Sequence, residues 1–385
     1  MKLICDRCAE VDPGAVVDGP TEWTCVRCGH ALTSELADYV DWAAAVLDVP
    51  GIGRYANLLP AREPADLQSA DTALRPIDCP ALAERLGVKS VHLVPQTLNE
   101  AGTFKDNEAV LLAAKSREWG LSAVCMHSSG NTARAYQHYM DRAGVECTGF
   151  VPRASVYKCP RELVGRSAIH AVDGNMITAA DAALAHSKAT GALRLTPSIW
   201  KIEGKVPLGL AIAEHCPGTT TIAVTIASGY GPLGMERGIR RVEAVGLPGP
   251  RNFQFRLFQA ADASVLGEAI WAGGDIDLDK MVPPEQAFEP TLQSTNPNKT
   301  LPLVRELLAR TRSRIDAVEP DLVEVHRDVF TAVCAEAGIP LDYGMEKSAY
   351  ICWAGLAGAA RAGRLAPTER ITIIVSGSAP HPLLL

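Results

Sequence analysis

The chain has 385 residues, of which 47% are hydrophobic and 21% are charged, and its net charge at pH 7 is −7. This composition is ordinary for a globular protein with one large core or two moderate ones, and the negative charge argues against nucleic-acid binding. The first residues, "MKLICDRC", contain no apolar signal segment, and the apolar run at residues 349–360 is too short to span a bilayer. We therefore expect a cytoplasmic protein with neither a membrane nor a nucleic acid as partner, and a buried helix at residues 349–360.

Two cysteine pairs stand near the start of the chain, Cys5 with Cys8 and Cys25 with Cys28, and 16 residues separate them. This spacing is typical of a zinc ribbon, in which four thiolates bind one Zn²⁺. Because all four ligands are cysteines, no position is left for water, so the metal would be structural. The alternative is two unrelated redox or core pairs. The other cysteines, of 11 in total, are interpreted as buried thiols in a reducing compartment.

Further along the chain, short apolar runs alternate with helical patterns. Strands are predicted at residues 121–127, 145–152, 167–172, 219–228, 251–260, 321–326 and 370–376. Helices are predicted at residues 33–48, 131–144, 175–191, 232–246 and 349–360. A polar stretch at 273–300 is predicted to be a surface excursion. Strands that alternate with helices indicate an α/β fold with parallel sheets covered on both faces.

The segment "NEAGTFKDNEAV", residues 99–110, predicts a helix start with an unusually placed lysine. Thr103 and Asp106 have the spacing of a capping box, which puts Lys105 in the first turn, against the helix macrodipole. A nearby positive field lowers the pKa of an ammonium group and frees the amine for imine chemistry. The alternative is a solvated surface lysine whose stem lies along the helix.

Three polar turns with glycines follow predicted strands, at the end of the sheet where open α/β folds bind ligands. These turns are residues 127–132, 227–234 and 376–382. In the second turn, Gly229, Gly231 and Gly234 precede a helix that Pro232 can open, and such a turn can bind a phosphate. It matches neither the P-loop nor the dinucleotide fingerprint. An ordinary connection between strand and helix is the alternative.

The first turn has two hydroxyls, Ser128 and Ser129, which can bind a carboxylate together with the N–H groups of a helix start. Asn131 is either a hydrogen-bonding neighbour in that site or a cap of the following helix. Ser376 ends the last strand and is compatible with an ordinary turn serine. An amine at Lys105, a phosphate turn and a carboxylate turn are together what pyridoxal phosphate and an amino-acid substrate require.

Six segments occur in the order found in threonine synthase-like, fold-type II pyridoxal phosphate enzymes. These segments are "AGTFKDNEA", "SSGNTARAY", "DGNMITAADAA", "SIWKIEGKVPLGLAIAE", "ASGYGPLG" and "VSGS". The chain resembles this family over nearly its whole length, and its cysteine pairs resemble the zinc ribbon of some threonine synthases. The resemblance implies a tryptophan-synthase-β-like α/β fold with two open sheets flanked by helices. We expect a zinc ribbon at 1–32, a large cofactor-binding domain at 33–115 and 205–385, and a smaller domain at 116–204.

The resemblance also implies roles for individual residues. Lys105 would be the Schiff-base lysine, Asn131 would contact the 3-hydroxyl of the cofactor, and Ser376 would face the pyridine nitrogen as a neutral partner. The residues that would cradle the cofactor phosphate are Ser228, Gly229, Tyr230, Gly231 and Gly234. Those that would contact the substrate are Thr103, Ser128, Ser129 and Thr132.

The substrate stays open because the chain departs from the family pattern in two places. Asn107 and Glu108 stand where threonine synthases have Arg-Gly, and the phosphate turn carries Tyr230, Pro232 and Leu233 where small residues are usual. The segment "VPGIGRYANLLP" resembles cysteate synthases, which exchange the phosphate of O-phosphoserine for sulfite. The sequence thus predicts a lyase-type elimination or replacement that releases phosphate from an O-phosphorylated or similarly activated amino acid. Threonine synthase chemistry with water leads, and cysteate formation with sulfite or another β-replacement is the alternative.

Two functions of a different class are also open. The chain could be a non-catalytic zinc-ribbon protein that binds a metabolite, but Lys105 beside two anion-binding turns favours catalysis. A nucleotide-binding dehydrogenase is disfavoured because the fingerprint is missing. The expected partners are a small amino-acid substrate and a small nucleophile, and a homodimer is one alternative for the assembly.

Overall fold

The structure, a computed structural model, describes residues 3–5, 7–8, 25, 27–28, 31–34, 39–61, 63–159, 167–195, 198–280, 282–283, 285–294 and 297–377. Its strands are β1 (Leu3–Ile4), β2 (Thr33–Ser34), β3 (Ile77–Asp78), β4 (Ser90–Pro95), β5 (Ala123–His127), β6 (Glu146–Pro152), β7 (Ala168–Val172), β8 (Leu193–Arg194), β9 (Thr221–Thr225), β10 (Gln254–Ala260), β11 (Arg314–Val318) and β12 (Arg370–Val375). Its α-helices are α1 (Trp42–Ala45), α2 (Pro80–Leu86), α3 (Asp106–Glu118), α4 (Asn131–Arg142), α5 (Met176–Thr190), α6 (Ile199–Glu203), α7 (Val206–His215), α8 (Tyr230–Ala244), α9 (Val265–Ala272), α10 (Leu301–Thr311), α11 (Pro320–Glu336) and α12 (Ser348–Arg361).

Two sheets form the framework of the described chain. The larger is a 6-stranded sheet in the order β11-β10-β9-β12-β4-β3, and the smaller is a 4-stranded sheet in the order β7-β6-β5-β8. Neighbouring strands are parallel except for β3, which runs antiparallel to β4. The smaller sheet draws its strands from residues 123–194. The predicted α/β fold with two open sheets and flanking helices is confirmed, whereas the domain boundaries stay a prediction.

The centre of the larger sheet is buried on both faces. Three consecutive residues of β9, Ile222, Ala223 and Val224, are at most 1% exposed. In a strand, successive side chains point to opposite faces, so such a run requires helices on both sides of the sheet. A strand buried on both faces has a continuous apolar run in its sequence, which is the pattern that predicts a strand at 219–228.

The buried helix predicted at residues 349–360 is α12. Its Gly355 lies against β10, and a Cβ at this position would be 2.2 Å from the Phe258 ring. Trp353 stacks on Phe330 of α11 with ring centres 5.6 Å apart. The apolar run therefore belongs to the protein core, and no helix in the described part of the chain is both long and apolar enough to cross a membrane.

The helix predicted at residues 33–48 is largely wrong. Residues 33–34 form β2, which pairs with β1, and residues 35–38 lie outside the described residues. A helix forms only at α1, where the Asp41 side chain accepts a hydrogen bond from the N–H of Ala44. Val46 is extended and ends it after one turn. The alanine-rich composition suggested a long helix, but the strand pairing and the late Asp41 cap limit it to four residues.

The strand predicted at residues 321–326 is also wrong, because this segment lies in α11. Pro320 occupies the first turn of the helix, where a missing N–H costs no hydrogen bond. Val323 and Phe330, two helical turns apart, are fully buried, while Val325 is 67% exposed. The strand at this edge of the sheet is instead β11, which begins seven residues before the predicted one and pairs with β10.

The N-terminal strand pair packs on the main hydrophobic core of the described chain. Leu3 and Leu32 are buried in the main hydrophobic cluster. The Arg241 guanidinium in α8 donates to Ser34 Oγ at 2.8 Å and to Glu203 Oε2 at 2.6 Å. A charged hydrogen-bond network thus fastens β2 to α6 and α8.

Candidate functional site

A cavity lies where the turns after β5, β9 and β12 meet the turn before α3. In parallel sheets the carboxyl ends of the strands share one edge, which explains why these sequence-distant turns come together. The predicted site residues that line this cavity are Thr103, Lys105, Ser129, Asn131, Ser376 and residues 228–231. One cavity therefore brings together most of the side chains that the sequence singled out.

Lys105 immediately precedes α3, at the positive end of the helix, and its side chain reaches the cavity. The predicted capping box is wrong, because no side chain within the described residues caps α3. Asp106 instead accepts hydrogen bonds from the N–H of Ala101 at 2.6 Å and the hydroxyl of Tyr139 at 3.1 Å. Burial raises the pKa of the Asp106 carboxyl to about 7. These contacts of Asp106 stabilise the start of α3, while the Lys105 side chain lines the cavity.

The turn after β9 leads directly into α8, which begins at Tyr230, two residues earlier than predicted. Gly229 has a positive φ of 88°, a conformation that L side chains rarely adopt. A Cβ on Gly229 would lie 2.5 Å from Val304 Cγ2, and one on Gly231 would lie 3.0 Å from Phe104 Cζ. Glycine at these positions therefore lets Val304 and Phe104 pack against the turn. The N-terminus of α8 lines the cavity, where it can bind an anion such as phosphate.

Three predicted site residues do not line the cavity. Gly234 lies further along α8, where a Cβ would be 2.4 Å from the Cβ of Lys205, so this glycine permits close packing. Ser128 is buried, and its hydroxyl accepts a hydrogen bond from the N–H of Ala133 at 3.1 Å, which stabilises the start of α4. Thr132 is half-buried in the first turn of α4. The roles expected for these three residues stay predictions.

Asn131 is the first residue of α4, and Gly130, with φ 111°, precedes it. The alternative in which Asn131 caps the helix is therefore wrong. Its Nδ2 instead donates a hydrogen bond of 2.5 Å to Glu346 Oε2 across the cavity wall. The amide is thereby held in the cavity wall, which Ser129 also lines.

Ser376 follows β12 and faces the cavity next to a second hydroxyl. Its Oγ lies 3.1 Å from Thr225 Oγ1, at the end of the neighbouring strand β9, and either hydroxyl can donate. Both side chains are neutral, so the pair can hydrogen bond to a ring nitrogen without forcing it to carry a proton.

No sequence pattern indicated the buried charged cluster in the cavity wall, which consists of Glu346, Glu289 and Lys158. The Glu346 carboxylate accepts hydrogen bonds from Asn131 and from Ser348 Oγ at 2.5 Å, and it lies 3.7 Å from Lys158 Nζ. Lys158 also contacts Glu289 at 3.1 Å. Burial disfavours the Lys158 ammonium, but the two carboxylates outweigh burial and raise its pKa above the ordinary value. Residues 131 and 346 are 215 positions apart, so no local pattern signals the pair.

Glu289 shows that the predicted surface excursion at 273–300 is wrong in part. Glu289 is 1% exposed, and Leu292 is 7% exposed. The Glu289 side chain accepts hydrogen bonds from the N–H of Thr291 at 2.9 Å and of Lys347 at 2.6 Å. These contacts pull this part of the segment into the cavity wall, although its proline content suggested a solvated loop.

Asn107 and Glu108, the two residues after Asp106 that depart from the family pattern, are both buried. Asn107 Nδ2 donates to Gln96 Oε1 at 2.5 Å. The Glu108 carboxylate accepts a hydrogen bond from the Tyr136 hydroxyl and lies 3.8 Å from Lys205 Nζ. Burial opposes its charge, but nearby lysines outweigh burial and hold the pKa of Glu108 below its ordinary value.

A second cavity, of about 510 Å³, lies between the N-terminal strand pair and helices α8 and α10. Arginines of its lining are held in ion pairs, as in the contacts of Arg237 with Glu203 at 2.8 Å and of Arg310 with Glu236 at 3.0 Å. We assign the chemistry to the first cavity because it combines an amine, a helix N-terminus and neutral donors.

The Sγ atoms of Cys5, Cys8, Cys25 and Cys28 all lie within 4.8 Å of one another. Hydrogen bonds from the backbone N–H groups of Arg27 and Cys28 lower the pKa of Cys25 to about 7, whereas the hydrogen bond with Cys28 raises the pKa of Cys8 to about 12. Four thiols at this distance could hold one metal ion, and the donor set suits zinc.

Comparison with known proteins agrees with this geometry. A family model described as "Pyridoxal-phosphate dependent enzyme" matches residues 67–377. A threonine synthase of Methanosarcina acetivorans is 29% identical over 205 residues, which are 50% of this chain and 49% of that protein. A cysteate synthase of Methanosarcina mazei is 25% identical over 204 residues, 48% of this chain and 46% of that protein. The chain thus spans about half the length of these curated relatives.

Solved structures share the fold at low sequence identity. Maize serine racemase has a TM-score of 0.61 and 20% identity, covering 80% of this chain and 90% of that one. An L-serine ammonia-lyase from the fungus Rhizomucor miehei has a TM-score of 0.64 and 16% identity, covering 81% of this chain and 95% of that one. The fold, the cavity and the match over residues 67–377 lead to one conclusion: the chain belongs to the family of fold-type II pyridoxal-phosphate dependent enzymes.

Proposed function

We propose that this protein is a threonine synthase-like enzyme that uses pyridoxal phosphate to eliminate phosphate from an O-phosphorylated amino acid, after which a small nucleophile adds. The observation that carries the proposal is that one cavity contains Lys105, the N-terminal turn of α8 and Ser376. The similarity to threonine synthases supports this reaction class over others of the family.

The residues around the cavity fit the cofactor. Residues 228–232 line the cavity at the N-terminus of α8, whose backbone N–H groups suit a phosphate. Positions 229 and 231 admit no larger side chain, because Val304 and Phe104 pack against them. Ser376, with Thr225, provides a neutral partner for the pyridine nitrogen. Lys105 supplies the amine that holds the cofactor aldehyde.

The bound cofactor would supply an electron sink for the charge that develops at the substrate α-carbon. Lys105, once its amine is free, would remove the proton from that carbon and return protons at later steps. The position of Lys105 in front of α3 keeps the amine in the cavity, and the buried contacts of Asp106 fix the helix start. A positioned base of this kind contributes through geometry as well as through its pKa.

Asn131 and the hydroxyl groups would orient the reactants. The hydrogen bond to Glu346 holds the Asn131 amide in the wall, where we propose that it contacts the 3-hydroxyl of the cofactor. Thr103 and Ser129 line the cavity and are proposed to bind the substrate carboxylate. Ser128 and Thr132 complete the proposed set through the backbone of the same turn.

A cysteate synthase-type β-replacement is the second candidate. Glu108 fills a position where threonine synthases have glycine, and its carboxylate lies among lysines behind Lys105. The similarity to cysteate synthases also covers 48% of this chain. In this reaction sulfite would replace the phosphate of O-phosphoserine, with the same roles for Lys105.

We further propose that the four N-terminal cysteines hold a structural zinc ion. The proposal is supported by the mutual distances of the Sγ atoms and by the absence of a non-cysteine ligand in the described cluster. A closed four-thiolate site leaves no position for a reacting water.

The substrate can be identified by measuring phosphate release. The full-length protein, loaded with pyridoxal phosphate, is incubated with O-phosphohomoserine or O-phosphoserine, each with and without sulfite, and the amino-acid products are analysed. Threonine from O-phosphohomoserine supports the first candidate, and cysteate from O-phosphoserine with sulfite supports the second. Lys105→Ala in the same assay is the control for uncatalysed release. Phosphate from neither compound contradicts both candidates.

A further inference from the structure

Lys205 is a buried residue that directly contacts the peptide group in front of Lys105. Its side chain is 0% exposed, and its Nζ donates a hydrogen bond of 2.6 Å to the carbonyl oxygen of Phe104. The N–H of the same peptide group, that of Lys105, donates to Thr103 Oγ1 at 3.4 Å. Both sides of the peptide are therefore held, which restricts the direction in which the Lys105 side chain leaves the backbone.

Lys205 also lies against the proposed phosphate turn. Its Nζ is 4.1 Å from the centre of the Phe104 ring, and a Cβ on Gly231 would touch that same ring at 3.0 Å. A Cβ on Gly234 would lie 2.4 Å from the Cβ of Lys205. Lys205 thus packs between the turn that precedes α3 and the first turns of α8.

The charges around Lys205 come from two helices. On α3, Glu108 lies 3.8 Å from its Nζ, and Asp106 is also near. Lys105 in front of α3 and Lys201 on α6 oppose its charge. Burial is the largest influence, and it lowers the pKa of Lys205 to about 7, while the two carboxylates act in the opposite direction.

We propose that Lys205 is a positioning residue that orients Lys105 through the Phe104 carbonyl, and that Glu108 keeps the Lys205 side chain in place. The inference rests on the proposed role of Lys105 as the cofactor lysine. A hydrogen bond from an ammonium group is shorter and stronger than one from a neutral amine, so protonated Lys205 holds the peptide more firmly. The Glu108 that departs from the family pattern thereby gains a function, since it stabilises the protonated form.

A purely structural role makes a different prediction. If Lys205 only neutralised Glu108, its charge state would affect stability but not the environment of the bound cofactor. Lys115 offers a matched comparison, because it is also 0% exposed and pairs with a glutamate of its own helix, Glu118, at 2.6 Å. It belongs to α3 as well but does not line the cavity.

The test follows the visible absorption band of the full-length, cofactor-loaded protein as the pH is changed. We expect a spectral step centred near pH 7 in the wild type and an unchanged step in Lys115→Met. In Lys205→Met we expect a smaller step, to which only Asp106 still contributes. In Glu108→Gln the step is expected at lower pH, because Glu108 raises the pKa of Lys205.

Cofactor affinity provides a second measurement. Loss of one charged hydrogen bond is expected to weaken it about tenfold in Lys205→Met, as measured by equilibrium titration of the apo-protein.

Borohydride reduction followed by peptide mapping tests the proposed role of Lys105 separately from that of Lys205. If the cofactor is recovered on a lysine other than Lys105, the proposed function of Lys105 is wrong. If it is recovered on Lys105 but the wild type shows no step near neutral pH, or Lys205→Met retains the step at full size, the positioning role of Lys205 is wrong. Should Lys205→Met fail to fold, an unshifted step in Glu108→Gln overturns the proposal on its own.

Discussion

A lysine at a helix start conflicts with the macrodipole, and the residues that follow explain why the fold accepts it. Asp106 and Glu108 both lie in the first turn of α3, where negative charge is favourable. Glu108 remains charged because nearby lysines offset the effect of its burial on its pKa. The charge of Glu108 therefore stabilises the helix start, Asp106 holds it through hydrogen bonds, and Lys105 lines the cavity.

Replacing Lys105 by alanine should remove the function without removing the fold. We expect Lys105→Ala to lose the visible absorption band of the bound cofactor and all turnover. Its free energy of unfolding should change by less than about 1 kcal/mol, because a half-buried side chain with few contacts contributes little. Absorbance, activity and denaturant unfolding check these expectations. Lys188→Ala, at an exposed position of α5, should keep the band, and a band retained in Lys105→Ala would contradict the assignment.

Asp106 should make the stability of the protein depend on pH. Its folded-state pKa of about 7 lies above the ordinary 3.8, so the folded state retains a proton that the unfolded state releases. The stability that Asp106 contributes is therefore complete below pH 3.8 and is lost as the pH rises to about 7. The difference is on the order of 1 kcal/mol per unit of pKa shift.

Asp106→Asn should flatten this pH dependence. Unfolding by denaturant at a series of pH values is expected to show a smaller loss of stability between pH 3.8 and about 7 than in the wild type. Asp181→Asn, at an exposed position of α5, serves as the control and should reproduce the wild-type profile. Identical profiles for Asp106→Asn and the wild type would show that Asp106 is not the group responsible.

At the residue scale, sequence reasoning found the site groups that stand in local motifs. Lys105, Ser129 and Ser376 follow recognisable turns, and the fold brings those turns to one cavity. Glu346 and Lys158 were missed because each is buried by contacts with distant segments, and neither belongs to a motif with a spacing that chemistry requires. Side-chain pairing across the fold is decided by packing rather than by local sequence.

At the scale of elements, the position of the phosphate turn depends on how α8 packs on α7. Gly209 and Gly238 face each other, and a Cβ on either would lie 3.0 Å from the Cα of the other. A Cβ on Gly238 would also be 2.4 Å from the carbonyl oxygen of Val206. The two helices are therefore in backbone contact, which holds α8 with its N-terminus at the cavity.

Gly238→Ala should separate these helices. The backbone must shift to admit the methyl group, so we expect a loss of about 1–3 kcal/mol in the free energy of unfolding and weaker cofactor binding. Gly274→Ala is the matched control, since nothing lies within 4 Å of its added Cβ, and its stability should stay within about 0.5 kcal/mol of the wild type. Denaturant unfolding and cofactor titration measure both effects. Equal stability of the two variants would contradict the proposed helix contact.

Element predictions succeeded where a single pattern decided the structure. Most residues of the strand β9 and the helix α12 are apolar and buried, so burial in the core explains both elements. The segment 321–326 failed because its alternation of apolar and polar residues also fits a helix that buries one face, and Pro320 marks a helix start. Residues 33–48 failed because pairing with β1 determines the structure at their beginning, which composition cannot reveal.

At the scale of the whole molecule, the N-terminal strand pair is joined to the rest of the fold by a charged network that does not involve the cysteines, although Cys5 and Cys25 are buried in the main cluster. Arg241 bonds both Ser34 of β2 and Glu203 of α6, and Arg237 also contacts Glu203 at 2.8 Å. Leu3 and Leu32 are buried in the main cluster. Loss of a metal would therefore loosen the cysteine-bearing turns without releasing the strand pair.

Removing one cysteine tests this separation. We expect wild-type protein to contain one zinc ion per chain after purification under reducing conditions, and Cys5→Ser to lose it, because three thiolates and a poorly coordinating hydroxyl bind zinc weakly. Cys216→Ala, outside the cluster, should retain the metal. Metal analysis and cofactor titration are the measurements. The cofactor affinity of Cys5→Ser should remain within about threefold of the wild type, because the network around Arg241 is intact. Zinc retained in Cys5→Ser would rule out the four-cysteine site, and loss of cofactor binding together with zinc would show that the two parts of the molecule are coupled.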